Sequence, residues 1–439
     1  MQLLSKNSKF HLHWVGVMLT QIGAYFTLIA LPWLTLSVAN NNPTTLAIIM
    51  ACFGIPHSIF ILLGGSIADK YSPLFVIKLS RFGFACCTLI FALALYFITP
   101  SIWLLVGFAI FAGGFSALGF PANQSFIPRI VQHDDILKAN VLTMGSSFVI
   151  QACAPVMAGF CLLWIKLYLE RHGLVNSNID HLTFAFLLDA ALVFIAACCT
   201  LKINLGEKNE TKALSKTHTL FKTVQTSFHY SFTHQNLKII LLYLMLISIL
   251  IHGPLLILLP YLVKVTLNMD ESALSYLLAS QGIGTFVGAT LVAVCKPNMQ
   301  NLGKYILCFD LITAIVFIQL GFQSSLVLLC LSLVTIGCAA GFTVVAGTTW
   351  YQVNIPIEKL SGAIAFVLFA IHGLIPLSSM LIGTLIELFN VAQITTLFGT
   401  FTAIICFVGL LSPKVRNMGK VLSVDTESKN APQDITSNA

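Results

Sequence analysis

Twelve long apolar stretches, separated by short charged segments, leave this chain one solvent in which it can fold, a lipid bilayer. An apolar run of about 18 residues or more is long enough to cross the hydrocarbon layer as a helix. Such runs lie near residues 12–38, 44–68, 75–98, 102–122, 139–167, 182–201, 239–262, 272–295, 305–322, 325–349, 362–386 and 391–411. With the N-terminus inside, the inner loops and tails hold every one of the 23 Lys and Arg except Lys166, Arg171 and Lys264. Cationic short loops stay on the cytoplasmic side. The sorting therefore fixes both termini inside, and a wrong span count would scramble it. Only 9% of residues are charged, against about 25% in soluble domains, which excludes a soluble enzyme. The net charge of +7 belongs to the inner loops. It implies attraction to anionic headgroups and no nucleic-acid partner. The basic residues 1–10 lead into an apolar run too long for a cleaved leader, so span 1 is read as retained.

The fold class expected is an all-α membrane protein, with 12 transmembrane helices in two pseudo-symmetric six-helix bundles. The polar segment 202–238 divides the spans six and six. The domains are read as an N-terminal bundle at 1–201, a cytoplasmic linker at 202–238, a C-terminal bundle at 239–411 and a disordered cytoplasmic tail at 412–439. Within the linker, Phe221, Val224, Phe228 and Phe232 are spaced by three or four, the pattern of an amphipathic helix on the membrane surface or against the bundle. The halves carry a faint echo. Gly113 precedes Pro128 by the spacing at which Gly341 precedes Pro356, and each proline is expected to end its helix on the inner side. Two related halves around a midplane cavity are the architecture of many secondary transporters. The 12 cysteines lie in spans or at their ends without a C-x-x-C or metal-ligand spacing. They are read as apolar packers, with no disulfide and no metal site.

The loop after span 2 reads Gly64-Gly65-Ser66-Ile67-Ala68-Asp69-Lys70-Tyr71-Ser72-Pro73. It resembles the signature of the major facilitator superfamily: a glycine, three residues, an aspartate and a basic residue, then a second glycine and a basic pair. That resemblance implies a gating role for Gly65, Asp69, Lys70 and Arg81. Asp69 would latch the cytoplasmic gate by charge and capping, and Gly65 would let two helix backbones approach closely. Ser72 stands where the family has its second glycine. Pro73 and Leu74 replace the basic pair, and Lys78 and Arg81 supply positive charge one to two turns later.

Further segments resemble one branch of the superfamily, the enterobactin-exporter-like and macrolide-efflux-like proteins, and also the lysophospholipid transporters. They are Pro121-Ala122 through Pro128, then Leu137-Lys138-Ala139-Asn140, and Gln21 followed by Ala30-Leu31-Pro32-Trp33. Gln281-Gly282-Ile283-Gly284 and the loop from Pro356 to Gly362 belong to the same resemblance. It implies that spans 1, 4, 7 and 10 line a central cavity and that spans 2, 5, 8 and 11 flank it. Relatives often carry an acid six residues after the span-1 glutamine, where this chain has Thr27. In span 5, Ala154-Pro155-Val156-Met157-Ala158-Gly159 resembles a stretch associated with antiporters, with Pro155 and Gly159 giving a bent, close-packed helix.

Polar groups within spans are costly, so each is a candidate for substrate or proton binding. Asp189 lies about 10 Å in from the outer edge of span 6, and Asp310 about 9 Å in from the inner edge of span 9. Each suits either a proton carrier or a structural brace. His57, His252 and His372 sit near the middle of spans 2, 7 and 11, and can titrate near neutral pH or serve as satisfied hydrogen bonders. Gln21, Gln151 and Gln281 are the mid-span amides. No nucleotide loop, nucleophile elbow or zinc motif appears, so no cofactor and no enzymatic activity are expected. The reading is a monomeric secondary transporter of the bacterial cytoplasmic membrane. It would export an amphipathic siderophore or drug in exchange for protons. Import or lysophospholipid transport by the same fold is the alternative, and a non-transporting membrane sensor a more distant one.

Overall fold

A computed structural model describes residues 7–132, 135–173, 181–204, 229, 232–355 and 366–418, apart from the side chains at 62–66, 68–71, 137, 299 and 352–353. The expected amphipathic stripe at Phe221, Val224 and Phe228 lies outside the described residues, as does the tail from 419 onward.

Twelve helices are long and apolar enough to cross a membrane. In chain order they are α1 (Ser8–Val38), α2 (Pro43–Tyr71), α3 (Pro73–Phe97), α4 (Ile102–Ile130), α5 (Ile136–Arg171) and α6 (His181–Leu201). The second six are α7 (Gln235–Thr266), α8 (Glu271–Cys295), α9 (Leu302–Leu320), α10 (Leu326–Asn354), α11 (Phe366–Leu388) and α12 (Val391–Leu411). No strand occurs among the described residues. Side-chain caps mark several starts. Asn7, Asn42, Ser72 and Ser101 each accept a first-turn backbone N–H, and Asn390 with Gln393 closes a reciprocal capping box. Such caps satisfy donors that a helix start leaves open. The prolines behave less simply than expected. α4 runs past Pro128 to Ile130, because a proline in the final turn disturbs only a bond at the helix end. α10 does stop at Asn354, just ahead of position 356.

Lipid is as apolar as leucine, so helix association in a bilayer depends on close packing of small residues. The Gly113 and Gly341 echo has this physical content. A Cβ on Gly113 of α4 would strike the backbone carbonyl of Phe53 in α2, and one on Gly341 of α10 would strike that of Thr285 in α8. Each half thus seats its fourth helix on its second through glycine, and the second half adds Gly337 of α10 and Gly284 and Gly288 of α8 to the same contact. Between the halves, α2 packs on α11 and α5 packs on α8. These pairings exchange under the pseudo-twofold that carries the first six helices onto the second six.

The second half contains the irregular helices. α7 widens into π-helical turns at Ser248–His252 and Leu262–Thr266. The first sits directly before Gly253-Pro254, where proline cannot donate to the preceding turn. α11 breaks at Gly373 and Leu374 and resumes as Ile375–Leu388 with Pro376 in its first turn. The break frees carbonyls that α7 then satisfies. Ser248 Oγ donates to Ala370 O at 3.0 Å and to Ile371 O at 2.7 Å. In return, Ser378 Oγ donates to Ile249 O at 2.6 Å. The two distortions face each other and bond to each other.

Candidate functional site

A cavity of about 420 Å³ lies between the halves, reaching from the middle of the bundle to Leu302 at the inner end of α9. This is the size range of small-molecule sites. Its wall is mostly apolar, and five sequence candidates line it: Gln151, His252, Gln281, Asp310 and His372. Asp310 is the one carboxylate in the described lining, which has no Lys or Arg. Asp310 is 6% exposed, and its Oδ2 accepts a 2.6 Å hydrogen bond from the Tyr243 hydroxyl, with Cys406 Sγ at 3.5 Å from that hydroxyl. Thr313, Thr343 and Tyr351 also line the cavity, and their buried hydroxyls have no hydrogen-bond partner among the described residues. Buried hydroxyls are normally paired, so this wall offers hydrogen bonds that the protein itself does not use.

His57 of α2 stacks on Phe53 with ring centroids 6.2 Å apart. His372 interacts electrostatically with both His57 and His252. The three histidines thus share one neighbourhood of α2, α7 and α11, beside the α11 break. Among the described residues, no group of His, Cys, Asp or Glu could hold a metal ion, and the cysteines are all free thiols.

The other candidates sit elsewhere. Gln21 Nε2 donates to Ser147 Oγ at 3.0 Å and ties α1 to α5. Asp189 is fully buried and accepts from Thr27 Oγ1 at 2.5 Å. The position where relatives often carry a span-1 acid therefore still has a carboxylate beside it, supplied by α6. Arg81 sits toward the inner ends of α3 and α6. It is buried in the first bundle, donating to Ala196 O at 3.2 Å and to the Thr200 hydroxyl at the inner end of α6. Gly65, Asp69 and Lys70 lie on α2 with side chains outside the described residues. Pro155 lies within a continuous α5, and Gly159 packs against Ser275 of α8, which a Cβ would strike.

The outer ends of the halves are joined. Lys264 Nζ at the end of α7 donates to Trp33 O at 2.8 Å and Ser37 Oγ at 2.5 Å, and lies 5.0 Å from the Trp33 ring centre. Thr44 Oγ1 donates to Gly383 O at 3.1 Å. Lys166 pairs with Asp270 at 3.6 Å, and His181 with Glu271 at 2.8 Å. Two of the three cations that break the positive-inside pattern, Lys166 and Lys264, are thus bound into this outer seam. Among the described residues, the outer ends are bound together and the cavity lies on the inner side of this seam, reaching the inner end of α9.

α7 and α10 line the cavity, and α8, α9 and α11 contribute as well, whereas α4 gives Phe120, α5 gives Gln151 and α1 gives none of the described lining. Tyr243, Tyr351 and the serines of the α7–α11 crossing were missed. Pro254, Gly373 and Pro376 were the available signals for those distortions.

Residues 14–371 match the family model described as Major Facilitator Superfamily. No curated protein sequence matches the chain. Among solved structures, it is similar to a POT family transporter in complex with 5-aminolevulinic acid, at TM-score 0.71 and 14% identity, covering 93% of this chain and 97% of that one. The nucleoside transporter NupG aligns at TM-score 0.66 and 15% identity, over 91% and 98%. The xylose transporter XylE from E. coli, in a partially occluded inward open conformation, aligns at 0.64 and 16%, over 91% and 97%. These likenesses concern the fold. The family match covers most of the chain, and with twelve spans around a central cavity the protein belongs to the Major Facilitator Superfamily of transporters.

Proposed function

We propose that this chain exports neutral or cationic amphipathic small molecules across a bacterial cytoplasmic membrane, by alternating access in exchange for protons. The observation that supports this most is the cavity wall, which among the described residues is an apolar surface carrying unpaired hydroxyls and one carboxylate, Asp310. An apolar pocket with a few placed polar groups favours a ligand of the same mixed character. A lone buried carboxylate can hold a substrate cation or a proton but not both, and that competition is the elementary requirement for exchange. Of the ligand classes expected from the sequence, a drug-like neutral or cationic compound suits this wall better than an anionic siderophore, for which the described lining has no Lys or Arg. The siderophore-exporter and macrolide-efflux resemblance is kept in its efflux aspect. The bound outer ends and inner-reaching cavity are the state that would load cargo from the cytoplasm.

Everted membrane vesicles with an acidified lumen provide the test. Addition of cationic amphipaths is expected to release protons in a protein-dependent way, while anionic siderophores do not. Proton release by siderophores alone would overturn the ligand class. Silence with every compound would overturn proton-coupled export and direct attention to uptake or lysophospholipid transport.

A further inference from the structure

The inner part of the first bundle holds a buried cation for which the described residues supply no counter-charge. Arg81 of α3 is 3% exposed, and a guanidinium keeps its proton in every protein environment. Its partners are neutral. Nη1 donates to Ala196 O and to the Thr200 hydroxyl, both near the inner end of α6. Nε and Nη2 are buried and have no hydrogen-bond partner among the described residues. Their N–H groups point to the same side, the edge a guanidinium uses in bidentate anion recognition. α1 is shaped around this head, because a Cβ on Gly16 would strike the guanidinium. One turn earlier, His13 is 1% exposed, and neither ring nitrogen has a partner among the described residues. Its ring meets Phe126 of α4 at 5.0 Å between centroids, and the Arg81 charge acts on it. Asn123, one turn before Phe126, adds a buried amide oxygen without a partner among the described residues. The described acids of this half are engaged elsewhere. Asp135 pairs with Lys138 in an exposed position, and Glu170 lies at the outer end of α5. Asp189 accepts from Thr27, about 21 Å further along α1 than His13.

From this convergence we infer that Arg81 and His13 form a binding site for a small monovalent anion, seated between the Nε–Nη2 edge and the imidazole. A buried charge without a counter-charge is costly, and buried polar groups are normally paired. One anion answers both demands. It balances the guanidinium and accepts the unused N–H groups of Arg81 and an N–H of His13. The Asn123 amide can turn its NH2 toward the same ion. The flanking side chains of Arg81 and His13 are almost fully buried, which selects an ion of the size of chloride, nitrate or formate. Arg81 lies about 12 Å in from the inner start of α3, so the cytoplasm is the nearer source. The bound ion ties α1 to α3 and, through Arg81, to the end of α6. None of Arg81, His13 and Asn123 lines the central cavity, so the site is separate from the one that takes cargo.

Thermal unfolding of the full-length protein in detergent tests this without any cargo. Chloride, nitrate or formate replaces the bulky anion gluconate at constant pH and ionic strength. A ligand that binds only the folded state raises its stability with concentration. The wild type is expected to show an upward shift of a few degrees that saturates. Arg81→Met replaces the buried charge by an apolar chain of similar length, a change that folded proteins often tolerate, and is expected to abolish the shift. His13→Leu is expected to raise the half-saturating concentration about tenfold or more, the effect of losing one hydrogen bond to a charged group. Crystals grown in bromide are expected to give an anomalous-diffraction peak in contact with Arg81 Nε and Nη2, a result that does not depend on any variant folding. Wild-type unfolding indifferent to the anion would overturn the inference, as would a shift that persists in Arg81→Met or is untouched in His13→Leu. Bromide found only at other places would do the same. With no cargo present, none of these results bears on the ligand class proposed for the cavity.

Discussion

Asp189 and Asp310 are both carboxylates buried within the membrane-spanning bundle, one in each half, and their surroundings are opposite in kind. Asp189 meets α1, where Thr27 donates to it and Gly23 leaves room for it. It joins α6 to α1 inside the first bundle and is absent from the described cavity lining. Asp310 is held by Tyr243 of its own bundle and also faces the cavity. The contrast extends to Arg81, which sits about 12 Å in from the start of α3, as Asp310 does from the start of α9. At that depth the first half directs its charge inward, to the end of α6, while the second half presents its charge to the cavity. The irregular helices follow the same division, with the π-helical turns and the α11 break all in the second half. A shared fold thus buries its charge within the bundle in one half and presents it to the cavity in the other.

The strongest way to break this comparison is to neutralise each acid without changing its shape. Asp310→Asn is expected to reduce coupled transport by about 5–150-fold, the range typical of linked binding equilibria, with normal expression and folding. Asp189→Asn is expected to leave transport per folded molecule within about twofold, because the asparagine oxygen still accepts from Thr27. Vesicle transport normalised to the amount of folded protein decides the matter. The reverse ranking would make Asp189 the coupling acid. A smaller effect is expected from Thr27→Val, which leaves a buried carboxylate oxygen without its donor. It should lower stability by about 1–3 kcal/mol, read as a lowered unfolding temperature, while surviving molecules transport normally. Loss of transport without loss of stability would mean that the Thr27–Asp189 bond belongs to the transport cycle.

Much of this architecture is legible in the amino-acid order, because span length and charge sorting are one-dimensional quantities. Most helix ends fall within about five residues of the expected spans, although α4 runs on to Ile130 beyond the expected 122, and the family signature expected in a loop lies on the last turns of α2. Depth is legible too, since each residue advances a helix by about 1.5 Å. Azimuth is not. Asp189 and Asp310 read alike in sequence, as single acids in apolar spans, and only their neighbours on other helices separate a brace from a cavity wall. The same holds for Gln21, which bonds to Ser147, and Gln281, which lines the cavity. The outer seam was hidden for a related reason. Lys166 and Lys264 stood out as exceptions to the charge pattern, but their partners lie in other helices, far along the chain. Gly373 and Pro376 did signal the α11 break, yet a break becomes a site only when Ser248 of α7 caps the freed carbonyls.

The two halves also differ where the second helix of each turns into the third. Ser72, in the position where the family signature has its second glycine, adopts φ 79° and ψ 136°. Lys296, at the corresponding turn after α8, adopts φ 44° and ψ 57°. The Lys296 conformation is the left-handed helical region, which side chains visit at modest cost. The Ser72 conformation lies near a region used almost exclusively by glycine. Strain there is of order 1–3 kcal/mol. Against that stands the cap that Ser72 Oγ gives to Phe75 N at 3.3 Å, which glycine gives up at a cost of only a few tenths of about 1 kcal/mol. Ser72→Gly is therefore expected to stabilise the protein by about 1 kcal/mol. Lys296→Gly should be close to neutral, because the strain relieved is small and glycine adds freedom to the unfolded chain. Matched thermal-unfolding scans of the two variants and the wild type in one detergent measure the difference. Equal shifts would mean that the loop after α2 is no more strained than its counterpart, and that the serine is tolerated there without cost.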